Sequence, residues 1–152
     1  DRLKIPEPYK SLLVHERDMT STLSKFHDDI IQLNVLNQHN QENEYYREVL
    51  LVTKSEQRPV EYGAIKIFLQ QFPEPARKAI VEAAAPLGQL LHEYNINYLS
   101  RPKGFISIKC DGYIGDLLKC SNQTKLFGRR NSLYQANNQM QIAEIVEILP
   151  IS

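Results

Sequence analysis

Alternating hydrophobic and polar residues predict several β-strands in this chain, because such alternation buries one face of a strand and leaves the other in solvent. The segments with this pattern are 28–37, 45–53, 59–69, 95–110 and 140–149. A short polar bridge at 54–58 predicts that the second and third segments form an antiparallel hairpin. The apolar positions change face within 59–69, which predicts a bulge near Gly63. Residues 38–44 are polar and lack periodicity, so they predict a loop.

Two other segments have the spacing of helices. The first covers 11–26, with a break after which Asp18 or Thr20 is a suitable cap. The second covers 73–94 and is interrupted at Pro86-Leu87-Gly88. A new helix over 89–94 would present free backbone N–H groups to an anion, but a plain kink between packed helices explains the interruption equally well. The apolar helical positions are Leu12, Leu13, Met19, Leu23, Ala76, Ala79, Ile80, Ala83 and Ala84. Residues 114–120 fit either a short helix or a short strand.

Together these elements predict an α+β fold with a mostly antiparallel sheet and helices packed on one side. An all-parallel sheet is disfavoured because short polar turns, rather than crossover helices, join consecutive strands. The 152 residues are predicted to form a single domain, 1–152, which is long enough to bury a substantial core.

Composition removes several classes of function. Eighteen basic and eighteen acidic side chains give no net charge, which argues against nucleic acid as a partner. No apolar run has the length of a membrane span, and no signal-peptide pattern is present, so a cytoplasmic location is expected. The four histidines share no ligand spacing, and no metal or organic cofactor is expected. Cys110 and Cys120 form no Cys-x-x-Cys motif and are expected to be a reduced pair.

The strand at 45–53 carries the first candidate for chemistry, Arg47, which lies beside a continuous apolar run. A buried guanidinium needs an anion opposite it, and its geometry suits a carboxylate. Arg47 therefore either anchors a small acidic ligand inside the domain or is an ordinary strand arginine with its charged group in water.

The last strand carries a candidate carboxylate. Glu144 shares a face with Ile142, Val146 and Ile148, so it lies either at an exposed edge or in a pocket where burial raises its pKa. Glu147 is on the opposite face and is expected to be solvated. The adjacent Arg129 and Arg130 are expected to divide between an inward and an outward position, because neighbours on a strand point to opposite faces.

Five short motifs, in this order along the chain, are similar to those of the chorismate pyruvate-lyase family and its archaeal and cyanobacterial-type relatives. The resemblance runs from the first helix almost to the end of the chain, and it depends on the order of the motifs, since each is short. The motifs are Asp18-Met19-Thr20, Arg47-Glu48-Val49-Leu50-Leu51, Pro86-Leu87-Gly88, Gly128-Arg129-Arg130, and Ala143-Glu144-Ile145 followed by Leu149-Pro150.

The resemblance implies an antiparallel sheet that encloses a buried ligand cavity closed by helical flaps. It implies a carbon–oxygen lyase that converts chorismate to 4-hydroxybenzoate and pyruvate without a cofactor. By position, Arg47 would bind the ring carboxylate with help from main-chain groups at Met19 and Leu87, and Glu144 would hydrogen-bond the 4-oxygen. Gly88 and Arg129 would complete the substrate site.

Two other functions remain open. The same fold resembles the effector-binding half of some bacterial transcription regulators, so the chain is alternatively a non-catalytic domain that binds small aromatic acids. A different enzyme acting on a related cyclohexadiene acid is the third possibility. The chain departs from the lyase pattern at Gly63-Ala64, where the family commonly has an arginine, at Gln89, where a basic residue is usual, and at Leu149-Pro150, which follows Glu144 two residues late.

Overall fold

The computed structural model describes residues 4–15, 18–82, 85–121 and 123–150. Its five helices and six strands follow one another in an order close to that predicted. The helices are α1 (Tyr9–Leu13), α2 (Met19–His27), α3 (Glu74–Val81), α4 (Leu87–Glu93) and α5 (Gly112–Leu118). The strands are β1 (Ile31–Gln41), β2 (Glu44–Thr53), β3 (Pro59–Phe68), β4 (Tyr98–Lys109), β5 (Lys125–Gln135) and β6 (Gln141–Leu149).

All six strands form one antiparallel sheet in the order β1-β2-β3-β6-β5-β4. Tight connections join β1 to β2, β2 to β3, and β5 to β6, so these neighbours in sequence are also neighbours in the sheet. The pairing of β3 with β6 joins the two halves of the chain. The predicted α+β fold with an antiparallel sheet is confirmed.

The two faces of the sheet carry different layers. One face, here called the helical face, includes the side chains of Tyr45, Val49 and Leu51 and packs against α1 to α4. The other face carries Tyr62, Leu126 and Ile148 and packs against α5, so one short helix lies opposite the other four. Because α5 covers only one end of its face, the other end remains open.

Two predicted irregularities differ from the structure. Residues 38–44 do not form a loop, because β1 and β2 stay paired out to Gln41 and Glu44. Backbone pairing with β2 sustains that hairpin although its side chains are polar and exposed. The bulge predicted near Gly63 lies three residues earlier in β3, because the pairing passes from Leu51–Glu61 to Val52–Pro59 and leaves Val60 as the extra residue. Gly63 itself is in regular register with Val49.

The predicted helices are confirmed with shifted ends. Asp18 caps α2, where its Oδ2 accepts a hydrogen bond of 2.8 Å from the Ser21 amide. The interrupted helix separates into α3 and α4, and α4 begins at Leu87, two residues earlier than predicted. Residues 114–120 contribute most of α5. The predicted helical positions Ala83 and Ala84 lie outside the described residues.

The expectation of reduced cysteines is wrong, because Cys110 and Cys120 form a disulfide. Cys110 follows β4, and α5 returns the chain so that the two Cα atoms lie 6.1 Å apart. Because a helix lies between them, the two cysteines form no recognisable sequence motif, and their spacing did not predict the disulfide. Within the described ranges, no helix is long and apolar enough to cross a membrane.

Candidate functional site

A small cavity of about 60 Å³ lies between the helical face of the sheet and the helices α2 and α4. The strands place polar and charged side chains on its floor, and the two helices cover it. The residues that matter for its chemistry are Arg47, Glu61, Asn131 and Glu147 from the sheet and Met19, Leu87 and Gly88 from the helices. The cavity is therefore polar on one side and mostly apolar on the other, as is common for sites that bind small molecules.

The strand register arranges the polar floor. Val49, Gly63, Glu147 and Arg129 lie opposite one another in a row across four strands. A Cβ atom at Gly63 would lie 3.0 Å from Glu61 Oε2 and 3.2 Å from Val49 Cγ2. The carboxyl group of Glu61 therefore lies over Gly63, in space that only glycine leaves open.

Arg129 and Glu147 form a buried ion pair beside this carboxyl group. Arg129 Nε donates to Glu147 Oε2 over 2.7 Å, and the side chains are 0% and 5% exposed. Arg129 Nη1 also donates to the main-chain oxygens of His15 at 2.9 Å and Leu13 at 3.4 Å, which connects the pair to the end of α1. Arg129 is thus committed to protein partners.

Burial sets the protonation of the two carboxyl groups. It raises the pKa of Glu147, an effect that the charge of Arg129 opposes. It also raises the pKa of Glu61 well above its ordinary value, and repulsion from Glu147 adds to this increase. One ionised carboxylate beside Arg129 and one protonated carboxyl group at Glu61 is the charge state that these effects favour. Oε1 of Glu61 has no hydrogen-bond partner among the described residues.

Arg47 is buried without an anion. Its side chain is 4% exposed, and Nε and Nη1 have no hydrogen-bond partner in the part of the chain that the structure describes. Its Cζ atom lies 6.0 Å from the centroid of the Tyr45 ring. Burial lowers the pKa of Arg47, and Tyr45 opposes that shift. A charged group buried in this way is costly, and the N–H groups on Nε and Nη1 are available to donate to an anionic partner.

The structure brings together four of the six residues that the sequence singled out. Arg47, Met19, Leu87 and Gly88 all line the cavity. A Cβ atom at Gly88 would lie 2.7 Å from Asp18 Oδ2, so α2 and α4 pack closely against each other beside the cavity. Arg129 points inward and the adjacent Arg130 is exposed, as expected for neighbours on a strand. Arg129 is connected to the cavity through its ion pair with Glu147.

Glu144 lies elsewhere, and the expectation that Glu147 is solvated is wrong. Glu144 is opposite Lys66 and Ser132 in a row that faces away from the cavity. It is exposed in an open groove of about 490 Å³ on the uncovered end of the α5 face, where Gln141 Nε2 donates to it over 3.2 Å. The alternation along β6 correctly separated the two glutamates, but which face was covered depended on helices from distant segments.

Sequence reasoning missed Glu61, Asn131 and Glu147. Glu61 precedes Gly63, Ile65 and Ile67 at intervals of two, a pattern that places it on the helical face. The sequence did contain a signal for a buried Glu61: it is two residues from a strand glycine, and that glycine provides the space that the carboxyl group occupies. Asn131 had no comparable signal, and its Nδ2 donates to Ser100 Oγ over 2.9 Å.

No protein-family model and no curated protein matches this sequence. Its fold is similar to those of solved transcription regulators. PhnF from Mycobacterium smegmatis superposes with a TM-score of 0.67 at 13% identity over 90% of this chain, which spans 65% of PhnF. The effector domain of PhnF gives a TM-score of 0.64 at 14% identity, covering 88% of each chain.

A third similar structure is the ligand-binding domain of a candidate GntR-family transcriptional regulator from Bordetella bronchiseptica. Its TM-score is 0.57 at 10% identity, covering 78% of this chain and 84% of that one. At such identities the likeness establishes the fold alone, so the ligand and the activity must be argued from the cavity.

Proposed function

We propose that this chain is the ligand-binding part of a regulatory protein, and that its ligand is a small organic acid whose anionic group binds Arg47. The observation that carries the proposal is the pair of unpartnered, buried nitrogen atoms of Arg47 in a small cavity. Guanidinium forms strong, charge-assisted hydrogen bonds with carboxylates, and a bound acid would supply the missing counter-charge.

The position of the cavity supports a regulatory role. The cavity has a volume of only about 60 Å³ and is covered by α2 and α4, so a bound acid would contact both helices. These helices meet at Asp18, which Gly88 packs against and to which the Tyr98 hydroxyl donates over 3.3 Å. Ligand binding would therefore change the positions of α2 and α4, and a neighbouring domain could detect this movement.

A second candidate is the chorismate pyruvate-lyase activity implied by the sequence resemblance. One observation favours it, since Arg47 shares the cavity with the carboxyl groups of Glu61 and Glu147. In the reaction the bond between the ring and the enolpyruvyl oxygen breaks, the ring loses a proton and becomes aromatic, and a proton reaches the enolpyruvyl methylene carbon. Glu61 or Glu147 would bind the 4-oxygen, because Glu144, to which the resemblance assigns that role, lies on the other face.

One experiment tests both functions. The purified protein is incubated with chorismate while 4-hydroxybenzoate and pyruvate are measured, and the binding of benzoate and 4-hydroxybenzoate is measured by calorimetry. Arg47→Met is compared with Arg130→Met, which removes an exposed arginine from the other face.

Acid binding without turnover, lost in Arg47→Met and kept in Arg130→Met, is the result expected for a regulatory domain. Stoichiometric formation of both products, lost in the same variant, would instead establish the lyase. Unchanged acid binding in Arg47→Met would overturn both functions, because each depends on that guanidinium.

A further inference from the structure

Glu61 is a second unsatisfied group in the same cavity, and the proposed acid-binding function does not require it. Its side chain is 5% exposed, and its Oε1 atom is buried without a hydrogen-bond partner among the described residues. A polar atom in this state is rare in folded proteins and destabilises them. Its retention therefore needs a reason.

Glu61 and Arg47 do not satisfy each other, although both line the cavity. Among the described residues, the two side chains form no ion pair within 4.0 Å. Glu147 does not satisfy the unpartnered oxygen of Glu61 either, because Glu147 is already paired with Arg129. The cavity thus offers two separate unpartnered groups, a cation on β2 and a carboxyl group on β3.

Gly63 determines where the Glu61 carboxyl group lies. Because it has no side chain, the Glu61 carboxyl group lies over it, on the row of Val49 and Glu147. Arg47 belongs to the next row, opposite Ile65. Glu61 and Arg47 therefore line the cavity from neighbouring rows of one face, where a ligand with a polar group at each end would contact both.

We propose that the ligand is bifunctional: besides the anionic group that binds Arg47, it carries a hydroxyl or ammonium group that donates a hydrogen bond to Glu61. This inference rests on the proposed acid-binding function and adds the second recognition element. Glu61 then acts as a specificity-determining residue, because an acid without the donor leaves its Oε1 atom unpartnered. Sites that place a buried polar group opposite a ligand donor discriminate strongly against analogues that lack it.

The test uses two matched sets of probes. The first is benzoate, 4-hydroxybenzoate and 4-(aminomethyl)benzoate, and the second is propionate, 3-hydroxypropionate and β-alanine. Affinities are measured by calorimetry at neutral pH for the wild-type protein, Glu61→Leu, Glu61→Gln and Glu144→Leu. Glu144 is the matched control because it is an exposed glutamate on the opposite face.

In at least one set, we expect the wild-type protein to bind a donor-bearing acid at least tenfold more tightly than the plain acid. Glu61→Leu should close that gap without weakening the plain acid, whereas Glu144→Leu should leave the gap unchanged. Glu61→Gln distinguishes the two donors, since the amide keeps an acceptor for a hydroxyl group but cannot lose a proton, as Glu61 would, to form an ion pair with an ammonium group.

Equal binding of plain and donor-bearing acids by the wild-type protein would overturn the role of Glu61 while keeping Arg47 as the anion site. Failure of every probe to bind would overturn the acid-binding function together with this inference. These outcomes need only the wild-type protein, so they stand even if a Glu61 variant does not fold.

Discussion

Arg129 and Glu147 face each other across β5 and β6 and form a fully buried ion pair, with Nε and Oε2 separated by 2.7 Å. The same guanidinium donates to main-chain oxygens of residues 13 and 15. The pair therefore joins the cavity floor to the N-terminal helix, and it leaves Arg47 as the cation available to a ligand.

Removing one member of this pair should destabilise the fold strongly. Arg129→Met leaves a buried carboxylate without its counter-charge, and such breaks usually decrease the free energy of unfolding by about 3–5 kcal/mol. Urea denaturation would measure the decrease. Arg130→Met is the neighbouring control, and it should change stability by less than about 0.5 kcal/mol because Arg130 is exposed.

Replacing Arg47 should have the opposite effect on the ligand-free protein. Arg47→Met removes a buried charge that has no partner in the described chain and keeps much of its volume. Replacing buried charges by apolar side chains of similar size often stabilises proteins by about 1–4 kcal/mol. Thermal and urea unfolding should therefore show a more stable variant that has lost acid binding. A clear loss of stability would mean that Arg47 has a structural partner.

The raised pKa of Glu61 predicts an unusual pH dependence of stability. The folded state holds a proton that the unfolded chain releases near the ordinary value of 4.5. The free energy of unfolding should therefore be greatest below that pH and fall as pH rises towards the folded pKa, by up to about 1.4 kcal/mol per pH unit. Urea titrations across this range should show the decline, and Glu61→Gln should flatten it. A wild-type profile as flat as that of the variant would contradict a protonated Glu61.

Gly63→Ala tests the space beneath the Glu61 carboxyl group. The new methyl group would lie 3.0 Å from Glu61 Oε2 and 3.2 Å from Val49 Cγ2, and overpacking of this kind decreases stability by about 1–3 kcal/mol. In a Glu61→Ala background the loss should be smaller, which a double-mutant cycle would measure. Gly104→Ala is the strand control, because no atom lies within 4 Å of the position of its Cβ.

Gly88→Ala tests the contact between the two helices over the cavity. Its methyl group would displace the Asp18 carboxylate, 2.7 Å away, from its capping position on α2. Loss of an N-cap decreases stability by about 0.5–2 kcal/mol. In an Asp18→Ala background, where the cap is already lost, the same substitution should have little further effect on thermal unfolding. Additive losses in the two backgrounds would show that Gly88 acts independently of the cap.

The sequence alone determined the elements and the class of fold. Period-two alternation predicted most of the strands, the helical spacing around Pro86 predicted two successive helices, and polar turns predicted antiparallel pairing. These features are local, since they depend on backbone geometry and on residues close together in the chain. Arg47 was recognisable for the same reason, because a cation within an apolar strand is unusual in itself.

Only the tertiary structure decided which side chains form the site. Alternation along β6 separates Glu144 from Glu147 but does not say which face will be covered, and the helices that cover Glu147 come from distant segments of the chain. The pairing of β3 with β6 likewise placed Glu61 beside Glu147, and α5 brought Cys110 to Cys120. Burial and charge pairing arise from contacts between distant segments, and the periodicity of a single strand does not contain that information.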